Sequence, residues 1–464
     1  VTANLATGVY NTAKSVTLTA SDNLDSNPII YYTTNGNTPT TSSTRYTAPI
    51  TVNKTTTLKF MARDKGSNQS PVNTRRYIFS KVGNLNTGKG YTSIQAAIND
   101  SLTLNGHIIE VLGGTYTENV IVNKKLKIRR AASTGSVTVK ASNSSKNVFT
   151  INSGGSGSTI QGFTIRDGYN GVSLISANSC SIIGNTITNN GGNGIWIGSD
   201  NNVISGNVIS NNDWNGVSVT ESTGNDLVDN TVSSNTRNGI YVEYGTDTTV
   251  SRNTVRNNIN YQGIYLYYTD NNTVSGNTVT NNEINGIILN NADNNLVSGN
   301  VVSDNGYDGI SVCYSNSNNI LKNTATNNSQ RGIYLGYTST VGGSNYNIIN
   351  QNIVEDNDLD GIFLYGSNGN TVSGNTITGN LYNGISLDNS DNNSVSGNTL
   401  NSNELSGIIL NNADNNSVSG NTGKSNGNNG IFLYYSDGNY ISGNTVTNNV
   451  LNGISVCYSN SNNI

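Results

Sequence analysis

The sequence predicts an all-β solenoid, a rod of short strands wound into stacked three-sided coils. The first observation is a glycine that recurs at Gly171, Gly194, Gly216, Gly239, Gly263, Gly286, Gly309, Gly332, Gly361, Gly384, Gly407, Gly430 and Gly453, in steps of 22 to 24 residues with a single step of 29. A fixed period of this size marks a repeat architecture. The second is that every glycine opens the same phrase, clearest from Gly384 to Asn426: Ile-x-Leu, a small residue, an Asn/Asp-rich corner, Val-Ser-Gly-Asn, and a short run closed by Asn. The third is that apolar residues inside the phrase alternate with period two and never with period 3.6.

One coil, opened by Gly407, shows why. Ile408 and Leu410 alternate with Ile409 and Asn411, so one face is apolar. Ala413 is small where the chain must bend. Val418 opens a second run and Thr422 a third, each too short for a helix. Three strands and three corners make one coil, and stacked coils pair strand on strand in parallel. Thirteen coils give a rod roughly 60 Å long at the ~4.8 Å strand spacing. A single coil cannot bury its own Ile, Leu and Val; its neighbours do so.

Two asparagines recur in twelve successive coils. One set runs from Asn185 to Asn444 and includes Asn277, Asn300, Asn375, Asn398 and Asn421; the other runs from Asn190 to Asn449. An amide is donor and acceptor at once, so stacked copies are expected to form ladders along the rod. Asparagine also tolerates the left-handed backbone that a sharp corner needs. From Thr159 to Ile464 the pattern resembles the NosD-type repeats of the pectin-lyase-like superfamily. That resemblance implies a right-handed parallel β-helix, and it implies nothing about chemistry.

Residues 1–80 read differently. They hold all four prolines and the only Met, and short alternating runs such as Ser15–Thr19 and Thr57–Met61 point to a small β-sandwich. Ile29-Ile30-Tyr31-Tyr32-Thr33-Thr34-Asn35-Gly36, with Tyr46–Ile50 and Thr55–Lys59, resembles the chitobiase/β-hexosaminidase C-terminal-type module. The resemblance implies an immunoglobulin-like accessory domain, a spacer or carbohydrate-associated module without a catalytic site.

Residues 81–158 are expected to cap and open the rod. Ile94, Ala97 and Ile98 share one face of a short helix, with Thr92 or Ser93 as N-cap. The runs His107–Leu112, Glu118–Val122 and Leu126–Ile128 supply the opening strands, and Gly114, Tyr116 and Glu118 resemble the phrase that precedes the first coil of pectin-lyase-like folds. Ser153–Gly157 reads as a flexible loop, and Ser339–Asn345, in the long step, as a corner loop bulging from the rod. Residues 159–464 are the repeats. The chain lacks an initiator Met and stops mid-coil at Ile464, so we expect trimmed ends and further chain, or a partner, over the last sheet edge.

Charged residues make up 11% and the net charge is −4, which gives no nucleic-acid electrostatics. Charge is segregated: residues 1–150 carry 17 basic and 6 acidic side chains, residues 151–464 carry 7 and 22. A basic end on an acidic rod suits head-to-tail contacts or an acidic wall; an acidic solvated face explains it equally. Three cysteines form no metal pattern, and Cys313 and Cys457 hold one repeat position six periods apart, so free thiols are expected. There is no run long and apolar enough to cross a membrane as a helix. Eight Asn-x-Ser/Thr sequons could carry glycans on an exported protein.

For catalysis, no paired carboxylates stand out, and the Asn-Thr-Asp, Asp-Asp and His-Gly phrases of polygalacturonase-like enzymes are absent from the coils. The only His, His107, reads as structural. Basic candidates for lyase chemistry are Arg237, Arg252, Arg256, Lys322, Arg331 and Lys424, with Arg237 and Glu243 the best acid–base neighbourhood; solvated surface charge is the competing explanation. No catalytic residue is assigned and no cofactor is required. Asp391, Asp414 and Asp437 repeat at 23 residues, as do Asp270 and Asp293, and could hold a Ca²⁺ ladder or simply form Asx turns.

The outer face of the strand after each glycine carries Trp196, Tyr241, Tyr265, Tyr334, Phe363 and Phe432, with Tyr267, Tyr365 and Tyr434 two positions on. The preceding corner adds Trp214, Tyr261, Tyr307 and Tyr382, and the following one Tyr244, Tyr268, Tyr337 and Tyr435. A solvent-facing aromatic stripe suits contact with sugar rings or another protein; cross-strand stacking alone also favours aromatics. The expectation is an exported, extracellular or cell-surface rod, adhesin-like or part of a surface layer, non-catalytic, contacting surface glycans or copies of itself. The alternative is a polysaccharide-acting enzyme, a lyase or glycoside hydrolase, or its glycan-binding part.

Overall fold

The computed structural model describes residues 1–132, 134–336 and 343–464. Three sheets run the length of the rod, parallel throughout except at the start of the first, where Val82–Asn84 pairs antiparallel with Lys89–Tyr91 and Ile108–Val111. In chain order within a coil, the first sheet has seventeen strands, from Val82–Asn84 to Tyr440–Ser442; the second has fifteen, from Gly114–Thr117 to Thr445–Thr447; the third has fifteen, from Val120–Val122 to Ile454–Cys457. Register is set by the inward residues. Val274 faces Val297 in the first sheet, Val279 faces Val302 in the second and Leu266 faces Leu289 in the third. All six are fully buried in one continuous core, and each such side chain contributes about 1.5–3 kcal/mol.

The rod is closed at its start by α1 (Ile94–Asn99). Ser93 Oγ accepts the Ala96 N–H at 3.1 Å. The two Glu118 oxygens accept the Ile94 and Gln95 N–H groups at 3.0 and 2.9 Å. The otherwise orphaned donors of the first turn are thereby satisfied, and Ile94, Ala97 and Ile98 face the core. Tyr116 reaches back, its hydroxyl donating to the Lys81 and Leu112 carbonyls at 2.9 Å each. Before the rod, Gly8–Val9, Asn73–Ile78, Thr56–Arg63, Ile29–Thr33 and Thr44–Arg45 form a five-stranded sheet beside two small strand pairs. Glu110 ties this β region to the rod: it accepts the Val9 N–H at 3.1 Å and pairs with Arg129 at 2.9 Å.

The amide ladders are present. Asn277 donates from its backbone N and from Nδ2 to Asn300 Oδ1, both at 2.9 Å, and from Nδ2 to the Val250 carbonyl at 2.8 Å. Its own Oδ1 accepts the same pair of donors from Asn253. The ladder from Asn190 to Asn449 repeats the arrangement, as at Asn305 and Asn328. The sequence reading missed a third buried ladder, through Asn272, Asn295, Asn318, Asn347, Asn370 and Asn393 at the corner before the first sheet.

Two expectations about backbone are corrected. The ladder asparagines do not adopt the left-handed conformation; the residue before each does, as at Gly276 (φ 63°) before Asn277 and Asn281 (φ 54°) before Asn282. The left-handed residue turns the chain, and the next amide is thereby aimed along the rod axis. Ser153–Gly157 is not a loose loop: Ser153–Gly155 form a 3-10 turn with Gly155 buried. A Cβ on Gly154 or Gly155 would lie 2.6 or 2.5 Å from the Asn123 or Val122 carbonyl oxygen. Close approach also explains the repeat glycine. At Gly286 a Cβ would stand 2.2 Å from Val302 Cγ1 and 2.7 Å from the Gly309 oxygen. Tyr337 and the Ser339–Gly342 part of the expected corner loop lie outside the described residues.

Candidate functional site

Because the interior is fixed by stacking, variation is confined to the outside, and the third sheet carries most of it. In register along its outer face run Ser173, Trp196, Ser218, Tyr241, Tyr265 and Ile288. Ser311, Tyr334, Phe363, Ser386, Ile409, Phe432 and Ser455 continue the column. Two positions on, a second outward column includes Thr220, Glu243, Tyr267, Asn290, Cys313, Tyr365, Asp388, Asn411, Tyr434 and Cys457.

The stripe is not uniformly solvent-facing, which corrects the sequence reading. Ile288, Cys313 and Tyr334 are buried, Tyr334 to 8% exposure, and Tyr265, Phe363 and Tyr365 close over them. The physical reason is the alternation of large and small residues: rings lean across Ser311 and Ser386, which are themselves buried. Tyr334 and Phe363 stack at 5.8 Å, and the Arg331 guanidinium lies 4.7 and 4.8 Å from their centres. Burial pushes the Tyr265 phenol up to about 12 and the Cys313 thiol up to about 11. At the far end Phe432, Tyr434, Tyr435 and Tyr458 form a separate cluster, with Tyr435 and Tyr458 stacked at 5.0 Å.

One stretch of the face opens into a cleft of about 510 Å³. Both tryptophans of the chain line it. Along one wall Tyr169 meets Trp214 edge-on at 5.7 Å, and Arg237 lies 4.6 Å from the Trp214 ring centre. Gly192 stands between Tyr169 and Trp214 in the stack, donating its N–H to the Tyr169 carbonyl and accepting the Trp214 N–H, and a Cβ there would come within 2.8 Å of Asn170 Oδ1. Opposite stand Trp196, Ser218, Thr220, Tyr241 and Glu243. The six-membered ring of Trp196 takes the space above Gly198, where a Cβ would come within 2.3 Å of Cη2.

The floor is amide. Asn193 and Asn215 each donate from Nδ2 to the Oδ1 of the asparagine one coil back, at 3.3 and 3.2 Å. An amide nitrogen carries two hydrogens, so one bond along the column leaves a second for a ligand. Burial, then the Glu243 carboxylate beside it, hold the Tyr241 phenol well above its ordinary range. The cleft offers two indoles, a stacked guanidinium, one carboxylate and a row of amides. These groups recognise hydroxyl-rich rings by stacking and hydrogen bonding.

The remaining expected residues are placed as follows. Arg252 pairs on the surface with Asp229 at 2.9 Å. The Asp414 and Asp437 N–H groups donate to Asp391 and Asp414 Oδ1, both at 2.7 Å, and Asp293 donates to Asp270 in the same way. One oxygen of each of these acceptors thus holds the next coil's backbone, an Asx ladder. Among the described residues no three His, Cys, Asp or Glu side chains gather where they could hold a metal ion, these aspartates included. His107 Nδ1 sits 3.1 Å from Asn84 Nδ2, inside the opening turn. The three cysteines are free. No helix among the described residues is long and apolar enough to cross a membrane.

Comparison with known proteins follows the same division. A cell surface glycoprotein of Methanothermus fervidus is 43% identical over 110 residues, which is 24% of this chain and 18% of that protein. Among solved structures, the Azotobacter vinelandii mannuronan C-5 epimerase AlgE4 A-module superposes with a TM-score of 0.50 at 15% identity, over 76% of this chain and 91% of that one. The catalytic domain of a GH87 alpha-1,3-glucanase gives 0.42 at 13% identity, over 94% and 87%. At such identities the likeness is one of fold. The chitobiase/beta-hexosaminidase C-terminal domain model matches residues 5–74. The right handed beta helix region model matches 148–300, 258–352 and 340–464, more than half of the chain, which therefore belongs to the right-handed β-helix family.

Proposed function

We propose that this chain is the rod of an exported cell-surface protein, a non-catalytic scaffold that holds a saccharide chain in the cleft between Trp196 and Trp214. The carrying observation is the cleft itself: both tryptophans, Arg237, Glu243 and a floor of amides converge there, whereas the regular coils keep small or amide residues at several of these positions. The relative called a cell surface glycoprotein supports the location.

The test is binding of the purified chain to an immobilised panel of neutral, amino and acidic polysaccharides, with product analysis for new ends. Wild type binds at least one without cleaving it. Trp214→Ala and Trp196→Ala each weaken that binding at least tenfold, about 1.4 kcal/mol. Binding unaffected by both changes would sink the cleft assignment. Release of shortened chains would favour a polysaccharide-acting enzyme, and concentration-dependent self-association without glycan binding would favour a surface layer built from copies.

A further inference from the structure

The cleft has a counterpart on the same face. Among the described residues, Glu243 and Asp388 are the only carboxylates in the second outward column of the third sheet. Beside each stands an aromatic shelf stepping down to a buried serine: Trp196 next to Ser218, and Phe363 next to Ser386. An arginine also lies against an aromatic ring near each, Arg237 on Trp214 in the coil of Glu243, and Arg331 on Tyr334 and Phe363, two coils before Asp388 and paired with Asp308. Of the seven basic residues after position 150, these are the two stacked in this way among the described residues.

The second constellation is held in place. Asp360 Oδ1 accepts the Asn383 N–H at 3.2 Å, Asn383 Nδ2 at 2.9 Å and Ser386 Oγ at 2.5 Å. Asp388 Oδ1 accepts Asn389 Nδ2 at 2.7 Å. Asp360, Phe363, Tyr365 and Asp388 all remain half-exposed. Phe363 and Tyr365, 6.2 Å apart, therefore present an apolar shelf with two fixed carboxylates at its edge, acceptors for ring hydroxyls. The interrupted amide column explains why these groups are here: in most coils the residue before the repeat glycine is an amide, but in three successive coils it is Asp308, Arg331 and Asp360.

Resting on the saccharide reading of the tryptophan cleft, we propose that Phe363, Tyr365, Asp360 and Asp388 form a second subsite for the same chain. The rod then binds one long, uncharged polysaccharide at two points along its axis. Six coils separate Glu243 from Asp388, roughly 30 Å at the strand spacing. A chain that spans this distance engages both sites and gains avidity; a short oligosaccharide engages one. As between neutral and acidic polysaccharides the ligand is a neutral one, because residues 151–464 carry 22 acidic and only 7 basic side chains, which repel a polyanion.

The test compares tetrasaccharides with intact chains of a β-1,4-glucan, a galactan and a mannan. The expected result is that at least one intact polymer binds about a hundredfold more tightly than its own tetrasaccharide. Asp360→Asn with Asp388→Asn lowers polymer affinity at least tenfold and leaves tetrasaccharide binding at the tryptophan cleft unchanged. Both substitutions install the residue that other coils use at that position, so the fold is preserved; Phe363→Ser is the harsher second variant. Equal affinity for polymer and tetrasaccharide, or polymer binding untouched by the double variant, overturns the second subsite while the cleft stands. Tighter binding of acidic polymers overturns the ligand class. Loss of tetrasaccharide binding in Trp214→Ala remains the separate criterion for the cleft itself.

Discussion

The coils opened by Gly384 and Gly407 and those opened by Gly194 and Gly216 share an interior but not a surface. In both pairs the ladder amides hold their places, Asn398 and Asn421 in one and Asn207 and Asn230 in the other, with the same bonds to the next coil. In both, Ile, Leu or Val fills the inward strand positions, Gly423 being the exception. Outside, the first pair shows Ser386, Ile409, Asp388 and Asn411, and the second shows Trp196, Ser218, Gly198 and Thr220, with Trp214 at the corner. An inward position has a copy above and below and changes only at a cost to both. An outward position answers to solvent and ligand, so departures from the repeat there are informative about function.

That comparison is broken most severely from the inside. Asn277→Ala removes a side-chain amide that makes four bonds, leaving the Asn253 N–H buried without a partner and the Val250 carbonyl and Asn253 Nδ2 each one bond short, the latter still held by the Leu227 carbonyl. The expected loss is roughly 3–5 kcal/mol, at 1–3 kcal/mol for each buried group left unpaired or a bond short. An exposed neighbour in the same coil, Thr278→Ser, should stay within about 0.5 kcal/mol. Urea unfolding followed by circular dichroism measures both, with hydrogen exchange to locate the opening, since stacked repeats can unfold in part. Similar losses for the two would mean that the ladders add little beyond shape.

The next effect is smaller and depends on pH. Asp308 stands in an amide column, is 5% exposed, and is held up to about 6 by burial. Arg331 opposes that rise, but its guanidinium is 3.5 Å away and shared with two rings, so burial wins. A carboxyl raised above its unfolded value binds its proton more tightly when folded. Its contribution is therefore full below about pH 4 and is lost as the pH rises through about 6. Asp308→Asn removes this dependence. Relative to wild type, the variant should gain up to about 3 kcal/mol between pH 4 and pH 7. Parallel stability curves for the two proteins across that window would show that Asp308 is charged throughout.

The repeat made the fold legible because glycine spacing, inward Ile and Val, and the two amide sets are all periodic, and periodicity survives in one dimension. The third ladder was hidden because its asparagines lie among other asparagines in the Asn/Asp-rich corner. The reason for the repeat glycine was hidden because it is a close approach between coils. Trp196, Tyr241, Arg237 and Glu243 were each visible as departures. That they meet Trp214 and Tyr169 in one cleft depended on the stacking of the coils and on Gly198, whose missing side chain leaves room for the Trp196 ring and gives no signal in sequence. The burial of Tyr334 was illegible for the same reason, because it depends on which neighbours are serines.

The smallest effect runs the other way and tests whether the repeat is an optimum. Thr248 occupies the third ladder where Asn225 and Asn272 stand on either side. Its N–H donates to Asn272 Oδ1 at 2.9 Å, so the ladder is intact above it. Its hydroxyl is buried without a partner, at 1% residue exposure, and it presents no amide oxygen to Asn225 below. Thr248→Asn supplies that oxygen and replaces an unsatisfied hydroxyl with an amide that reaches both neighbours. The expected gain is about 1 kcal/mol, one net hydrogen bond, read as a shift in the urea midpoint with unchanged slope. A loss instead of a gain would mean that the coil has relaxed around threonine, and that a ladder position can be reshaped by its own coil as well as dictated by the stack.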